Sequence, residues 1–175
     1  MEEIVNKVQQ SGLIEINLED YYDHAQRVCI DMKDFLIEFS VGQSSAYILK
    51  EKDFREKLSK LDTAQFNESL VAIICSVDAV VPTWAYMLLS LTISTNAKKV
   101  VVGSLENLEN IVFNEALNQI NLNDYVGSKI VIKGCNKFNI PLNAYATLAS
   151  KLKPVAKSIM FGEPCSTVPL YKKSK

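Results

Sequence analysis

Two stretches of equal length decide the fold of this 175-residue chain: VAIICSVDAVVPTWAYMLLSLTISTNAKKVVVGS at 71–104 and IVIKGCNKFNIPLNAYATLASKLKPVAKSIMFGE at 130–163. At a fixed offset, Pro82 falls on Pro141, Ala85 on Ala144, Tyr86 on Tyr145 and Leu89 on Leu148. Ala97, Lys98 and Gly103 fall in the same way on Ala156, Lys157 and Gly162. One residue fewer in the second loop brings Cys75 onto Cys135. Each copy reads as an apolar strand, a cysteine, a loop, a proline-started helix with Ala-Tyr, a lysine, a second strand and a glycine. Any two βαβ units share apolar periodicity, but periodicity does not force the Cys, Pro, Ala-Tyr and Lys matches. The self-similarity indicates an internal duplication, expected to have built one sheet.

Short strand runs, the all-apolar Val71–Cys75 and then Lys99–Val102, Lys129–Lys133 and Ser158–Phe161, alternate with helical patterns. The helices are Pro82–Ser94, Leu105–Ile120 and Pro141–Leu152, and the last strand is stopped at Gly162. Strand runs of this kind are buried on both faces, and their alternation with helices predicts parallel β-structure with crossover helices. Before them the signal is weaker. Glu2–Gln10 reads as a short helix. Ile14, Ile16 and Leu18 alternate with polar residues, as do Val28, Ile30 and Met32, which predicts two strands. Leu36–Ile48 reads as a turn region between hairpin strands. Lys50–Gln65 has helical spacing at Phe54, Leu58 and Leu61. The expected fold is a single α/β domain over 1–175: an N-terminal α+β extension at 1–66, then a duplicated α/β core at 67–175 with a mainly parallel sheet.

Nineteen basic residues balance twenty acidic ones, with no basic stripe beyond Lys172, Lys173 and Lys175, so no nucleic-acid footprint is expected. The start Met1-Glu2-Glu3 has no secretory character. The apolar stretch Val77–Ile93 is broken by Asp78, Pro82, Thr83 and Ser90, too mixed to span a bilayer. A cytoplasmic location follows, where thiols stay reduced. The four cysteines, Cys29, Cys75, Cys135 and Cys165, are then core residues, metal ligands or reactive thiols rather than a disulfide framework.

Cys75 and Cys135 each close a strand, and Cys165 follows the last one. Ligand crevices in parallel sheets lie outside the carboxyl ends of the strands, so three cysteines are expected at one edge. Asp78, Trp84, Asn136, Lys137, Glu163, Ser166 and Thr167 are the candidate binding residues around them. Three thiolates suit zinc or an iron–sulfur cluster, although no Cys-x-x-Cys pair supports the site. Against it stand two alternatives. One is a non-catalytic interaction or structural module with buried inert cysteines, for which a homodimer interface is one expected form. The other is a thiol enzyme using Cys135 or Cys165, Cys135 having Lys133 and Lys137 nearby to lower its pKa. Cys29 reads as core, and His24, the only histidine, as a surface residue. Pro164-Cys-Ser-Thr-Val-Pro169 reads as a rigid polar loop, a site element or a cap docking Leu170 and Tyr171.

The strings Met1–Val8, Val81–Leu89, Val131–Cys135 and Ser158–Lys172 resemble a small bacterial family of unknown function over essentially the whole chain. The resemblance implies no catalytic residues. It also implies that members are often encoded near iron–sulfur assembly genes, and hence an expected protein partner in iron–sulfur assembly.

Overall fold

The computed structural model describes residues 12–42, 44–134, 137–163 and 166–174. The contacts divide the chain into two compact units: a terminal unit, Met1–Asp23 with Glu109–Lys175, and a central unit, His24–Leu108.

Each unit opens on a strand from the N-terminal part of the chain. Strand β1 is Leu13–Asn17 and β2 is Arg27–Asp31. Each runs straight into a 3-10 turn, Leu18–Tyr21 after β1 and Met32–Phe35 after β2. The last strand residue supplies the cap in both. The side chain of Asn17 accepts from the Glu19 N–H at 3.1 Å, and that of Asp31 from the Lys33 N–H at 2.9 Å. After β2 the central unit adds the hairpin β3 (Ile37–Val41) and β4 (Ser44–Ile48), helix α1 (Glu51–Ser59), β5 (Leu70–Ile74), helix α2 (Thr83–Ile93) and β6 (Lys99–Val102). Its main sheet is β2-β5-β6, all parallel.

The boundary between the units falls within α3 (Leu105–Asn118). The terminal unit continues with β7 (Lys129–Lys133), α4 (Leu142–Leu152), β8 (Ser158–Glu163) and β9 (Ser166–Lys172). Its sheet runs β1-β7-β8-β9, parallel except for the antiparallel β9.

The duplication is visible bond by bond. Glu68 and Gly127 both take positive φ, 53° and 70°. Their N–H groups donate to the equivalent carbonyls of Asn96 and Val155 at 3.0 and 2.8 Å. Lys98 donates to the Ser69 carbonyl as Lys157 does to that of Ser128, at 2.9 and 2.8 Å. Leu70 lies opposite Lys99 in one sheet, and Lys129 opposite Ser158 in the other. Each helix packs its Ala-xxx-Leu face on its own sheet. Ala85, Leu89 and Ile93 join Val71, Ile73, Phe54 and Met32 in the central core. Ala144, Leu148 and Leu152 join Ile16, Ile130, Ile132 and Phe113 in the terminal one. This apolar burial, about 25 cal/mol per Å² of surface removed from water, is what each unit has to set against chain entropy.

The α/β class, the parallel pairing with crossover helices and the strand-helix-strand repeat hold. The expectation of one sheet does not: the two copies build separate sheets, each completed by one of the two N-terminal strands. β8 also does not stop at Gly162 but runs through it, at φ 120°, to Glu163. The stretch read as a proline-bracketed loop is largely strand β9, with Pro169 tolerated on the sheet's edge. Cys29, expected in the core, is exposed, because its side chain lies opposite the core-facing Val28 and Ile30. His24 is exposed as expected. The helix read over Glu2–Gln10 lies outside the described residues.

Candidate functional site

Each unit has its own carboxyl edge, and the two are furnished differently. In the terminal unit Lys133, at the end of β7, lies between two carboxylates, Glu15 of β1 at 2.8 Å and Glu163 of β8 at 3.1 Å. Hydrogen bonds to both hold the Lys133 ammonium above the ordinary lysine range. Gly134 follows. A methyl group there would run into the hydroxyl and ring of Tyr145 from α4, so the backbone and the tyrosine share a space that only glycine leaves open. The Tyr145 ring meets Phe161 edge to face at 5.8 Å.

Above these residues a groove of about 810 Å³ opens between the β7–α4 connection, α4, β8 and β9. Phe138, Leu142, Tyr145, Ala149, Phe161 and Leu170 give it an apolar lining. Leu142 is 86% exposed and Leu170 54%, so two aliphatic side chains stand at its mouth. Lys137 lines the same groove, its ammonium 5.4 Å from the Phe138 ring centre.

In the central unit the place of Gly134 is taken by Cys75. Its thiol donates to the Val77 carbonyl at 3.3 Å and is hydrogen-bonded with Tyr86, the counterpart of Tyr145. Burial, and then the neighbouring Cys75, raise the Tyr86 pKa. Asp31 ends β2 and accepts from the Ser76 N–H at 3.0 Å. Burial opposes its charge, but hydrogen bonds from the Ser76 side chain, the Lys33 N–H and the Ser76 N–H outweigh that and lower its pKa.

This geometry overturns the three-cysteine metal site. Strand register matches Cys75 with Gly134, not Cys135. Cys75 follows β5, whereas Cys135 comes after β7 in the chain, and β5 and β7 belong to different sheets. Among the described residues no three His, Cys, Asp or Glu side chains are grouped to hold a metal. The zinc, iron–sulfur and cysteine-site readings are withdrawn on these grounds. Cys135, Asn136 and Cys165 lie outside the described residues.

The other sequence candidates scatter. Asp78 and Ser166 are exposed. Trp84 turns to the central core, edge to face with Phe54 at 5.6 Å and with the Arg55 guanidinium 5.8 Å from its ring centre. Thr167 is hydrogen-bonded to the Met160 sulfur at 3.7 Å. Lys137 lines the groove and Glu163 pairs with Lys133. Sequence reading missed Gly134, Leu142, Tyr145 and Phe161 as a group. The Gly134 and Tyr145 pairing was the available signal, since a glycine at a strand end often marks a close approach.

The family model described as "Protein of unknown function (DUF2480)" matches residues 2–173, and the chain belongs to that family. No curated protein and no solved structure matches it.

Proposed function

We propose that this member of the DUF2480 family is a non-catalytic interaction module whose working surface is the apolar groove of the terminal unit. Its occupant is an aliphatic or aromatic side chain presented by a partner polypeptide. The observation that carries the reading is the groove itself: about 810 Å³, lined mainly by apolar side chains, with Leu142 and Leu170 exposed at its mouth. Sites of this size with mostly apolar walls and few polar groups are the usual form of a binding pocket. Lys137 is the one cation among the described residues that line it, suited to a segment with an acidic residue beside the anchoring side chain. A cytoplasmic location belongs to the same reading, supported by the free thiols of Cys29 and Cys75. No helix among the described residues is long and apolar enough to cross a membrane.

The test uses anilinonaphthalene sulfonate, an apolar anionic fluorophore, on the full chain. Binding is expected, and Ala146→Trp, which fills the groove from the exposed side of α4, weakens it at least about tenfold, as the loss of one apolar pocket predicts. Absence of binding, or equal binding by Ala146→Trp, contradicts the reading.

A further inference from the structure

The central sheet ends at β6, and the terminal unit displays what the equivalent position accepts. The N–H groups of Lys99 and Gly103 donate to the carbonyls of Ser69 and Ile73 in or beside β5, at 3.3 and 2.9 Å. Backbone polar groups alternate sides along a strand. Those of Val100 and Val102 therefore face away from β5. Their counterparts in the terminal unit, Ile159 and Phe161, face β9, pairing antiparallel with Tyr171 and Val168. The Lys173 N–H extends that ladder to the Lys157 carbonyl at 2.9 Å.

No described strand does this for β6. Directly after Gly103 a capping box forms: the Ser104 hydroxyl accepts from the Asn107 N–H at 3.2 Å, and the Asn107 side chain accepts from the Ser104 N–H at 3.0 Å. The chain is thereby committed to α3 where the other copy continues into β9.

The helix beside the open edge is equally unfinished. No charged residue occurs in α2, Thr83–Ile93. On its outer side Met87 is 61% exposed and Leu91 70%. The duplicate α4 carries Ala146 and Ser150 at these places. An uncharged helix with large apolar side chains on its outer side belongs against another apolar surface. Tyr86, Met87, Ser90, Leu91 and the half-exposed Val102 form a groove of about 460 Å³ that joins the helix face to the strand edge.

We propose that two copies of this chain form a two-fold dimer through β6 and α2, with β6 pairing antiparallel with its own copy. The register selects a second copy. With Val101 opposite Val101 of the partner, each Val100 faces the other copy's Val102, and both are residues whose backbone groups point outward. The two reciprocal pairs close four hydrogen bonds. Val100 and Val102 lie on the face that α2 covers, so the two helices come to the same side of a continuous six-stranded sheet, with Met87 and Leu91 of both copies meeting across the axis. Lys99 falls opposite Gly103, so no lysine faces its own copy, and the uncharged helix face has no like charges to oppose on the axis.

The experiment is sedimentation of the full chain over a dilution series through the micromolar range. The wild-type chain is expected to reach twice the mass of one chain. Leu91→Glu, on an exposed position, raises the dimer Kd at least about tenfold. Val102→Pro removes an outward N–H without touching β5, a change an edge strand tolerates, and it also dissociates the dimer with the circular dichroism retained. Leu142→Glu, in the terminal groove, leaves the dimer intact. A wild-type chain that stays monomeric overturns the proposal. So does a dimer that neither Leu91→Glu nor Val102→Pro weakens, including one lost only when residues 1–10 are removed. The surface is separate from the terminal groove, whose reading stands or falls on the fluorophore.

Discussion

The terminal and central units follow one plan and finish it differently. Each builds a parallel three-strand sheet around a Pro-started helix, and each takes its outer strand from the N-terminal part of the chain. In the terminal unit the strand after the helix runs through Gly162 into β9, which covers the sheet edge and places Leu170 over an apolar groove. In the central unit Ser104 and Asn107 cap a helix at the same point, and β6 is left as an edge. The helices record the difference. α4 presents Ala146 and Ser150 outward, whereas α2 presents Met87 and Leu91. The lesson is that two copies of a scaffold acquire different surfaces through a few residues at one strand exit.

The shared plan is broken most sharply in the cores. Leu89 and Leu148 are equivalent and fully buried. Replacing either with alanine is expected to cost about 2–5 kcal/mol in urea unfolding. A difference of more than about 2 kcal/mol between them, beyond the usual spread of such sites, would count against equivalent packing. Next comes the strand-end exchange. Gly134→Ala drives a methyl into Tyr145 and is expected to cost about 1–3 kcal/mol. Cys75→Ala, where the space is already filled by a side chain, should cost less by the same measurement.

Smaller again is the left-handed position. Gly127→Glu, which installs the residue type of the other unit, is expected to cost about 1 kcal/mol. Glu68→Gly should change thermal stability little, because relief of the φ 53° backbone is offset by about 0.5–1 kcal/mol of unfolded-chain entropy. The smallest effect concerns acid. The Asp31 pKa is lowered in the folded state, so its contribution is present above the ordinary carboxylate pKa and is lost as pH falls through the folded value. Solvent screening keeps it within about 1 kcal/mol. The stability advantage of the wild-type chain over Asp31→Asn should shrink between about pH 5 and about pH 2.

Much of this plan is legible in the sequence. Prolines, Ala-Tyr and strand-end glycines mark the copies, and the apolar runs place β5 to β8 within a residue or two. What stays hidden is the number of sheets. Parallel pairing is non-local, and nothing in 71–104 or 130–163 says whether the copies join each other or recruit separate third strands. A signal did exist. Ile16-Asn-Leu-Glu-Asp-Tyr21 and Ile30-Asp-Met-Lys-Asp-Phe35 share an isoleucine, an Asx cap, an apolar residue, an aspartate and an aromatic. They recur at a spacing unlike that of the main repeat. β9 was obscured by Pro169, which argues against a strand until the edge position is known. The metal site failed for a related reason: cysteines matched by motif are not at equivalent positions, and the residue equivalent to Cys75 in the other copy is Gly134.

The most direct test of one plan with one closed and one open edge is residue-resolved amide hydrogen exchange on the Leu91→Glu chain in dilute solution. The account predicts slow exchange at Val101 and Met160, which face the neighbouring parallel strands, and at Ile159 and Phe161, which face β9. It predicts fast exchange at Val100 and Val102. Protection of Val100 and Val102 equal to that of Ile159 and Phe161 in the monomer would contradict it.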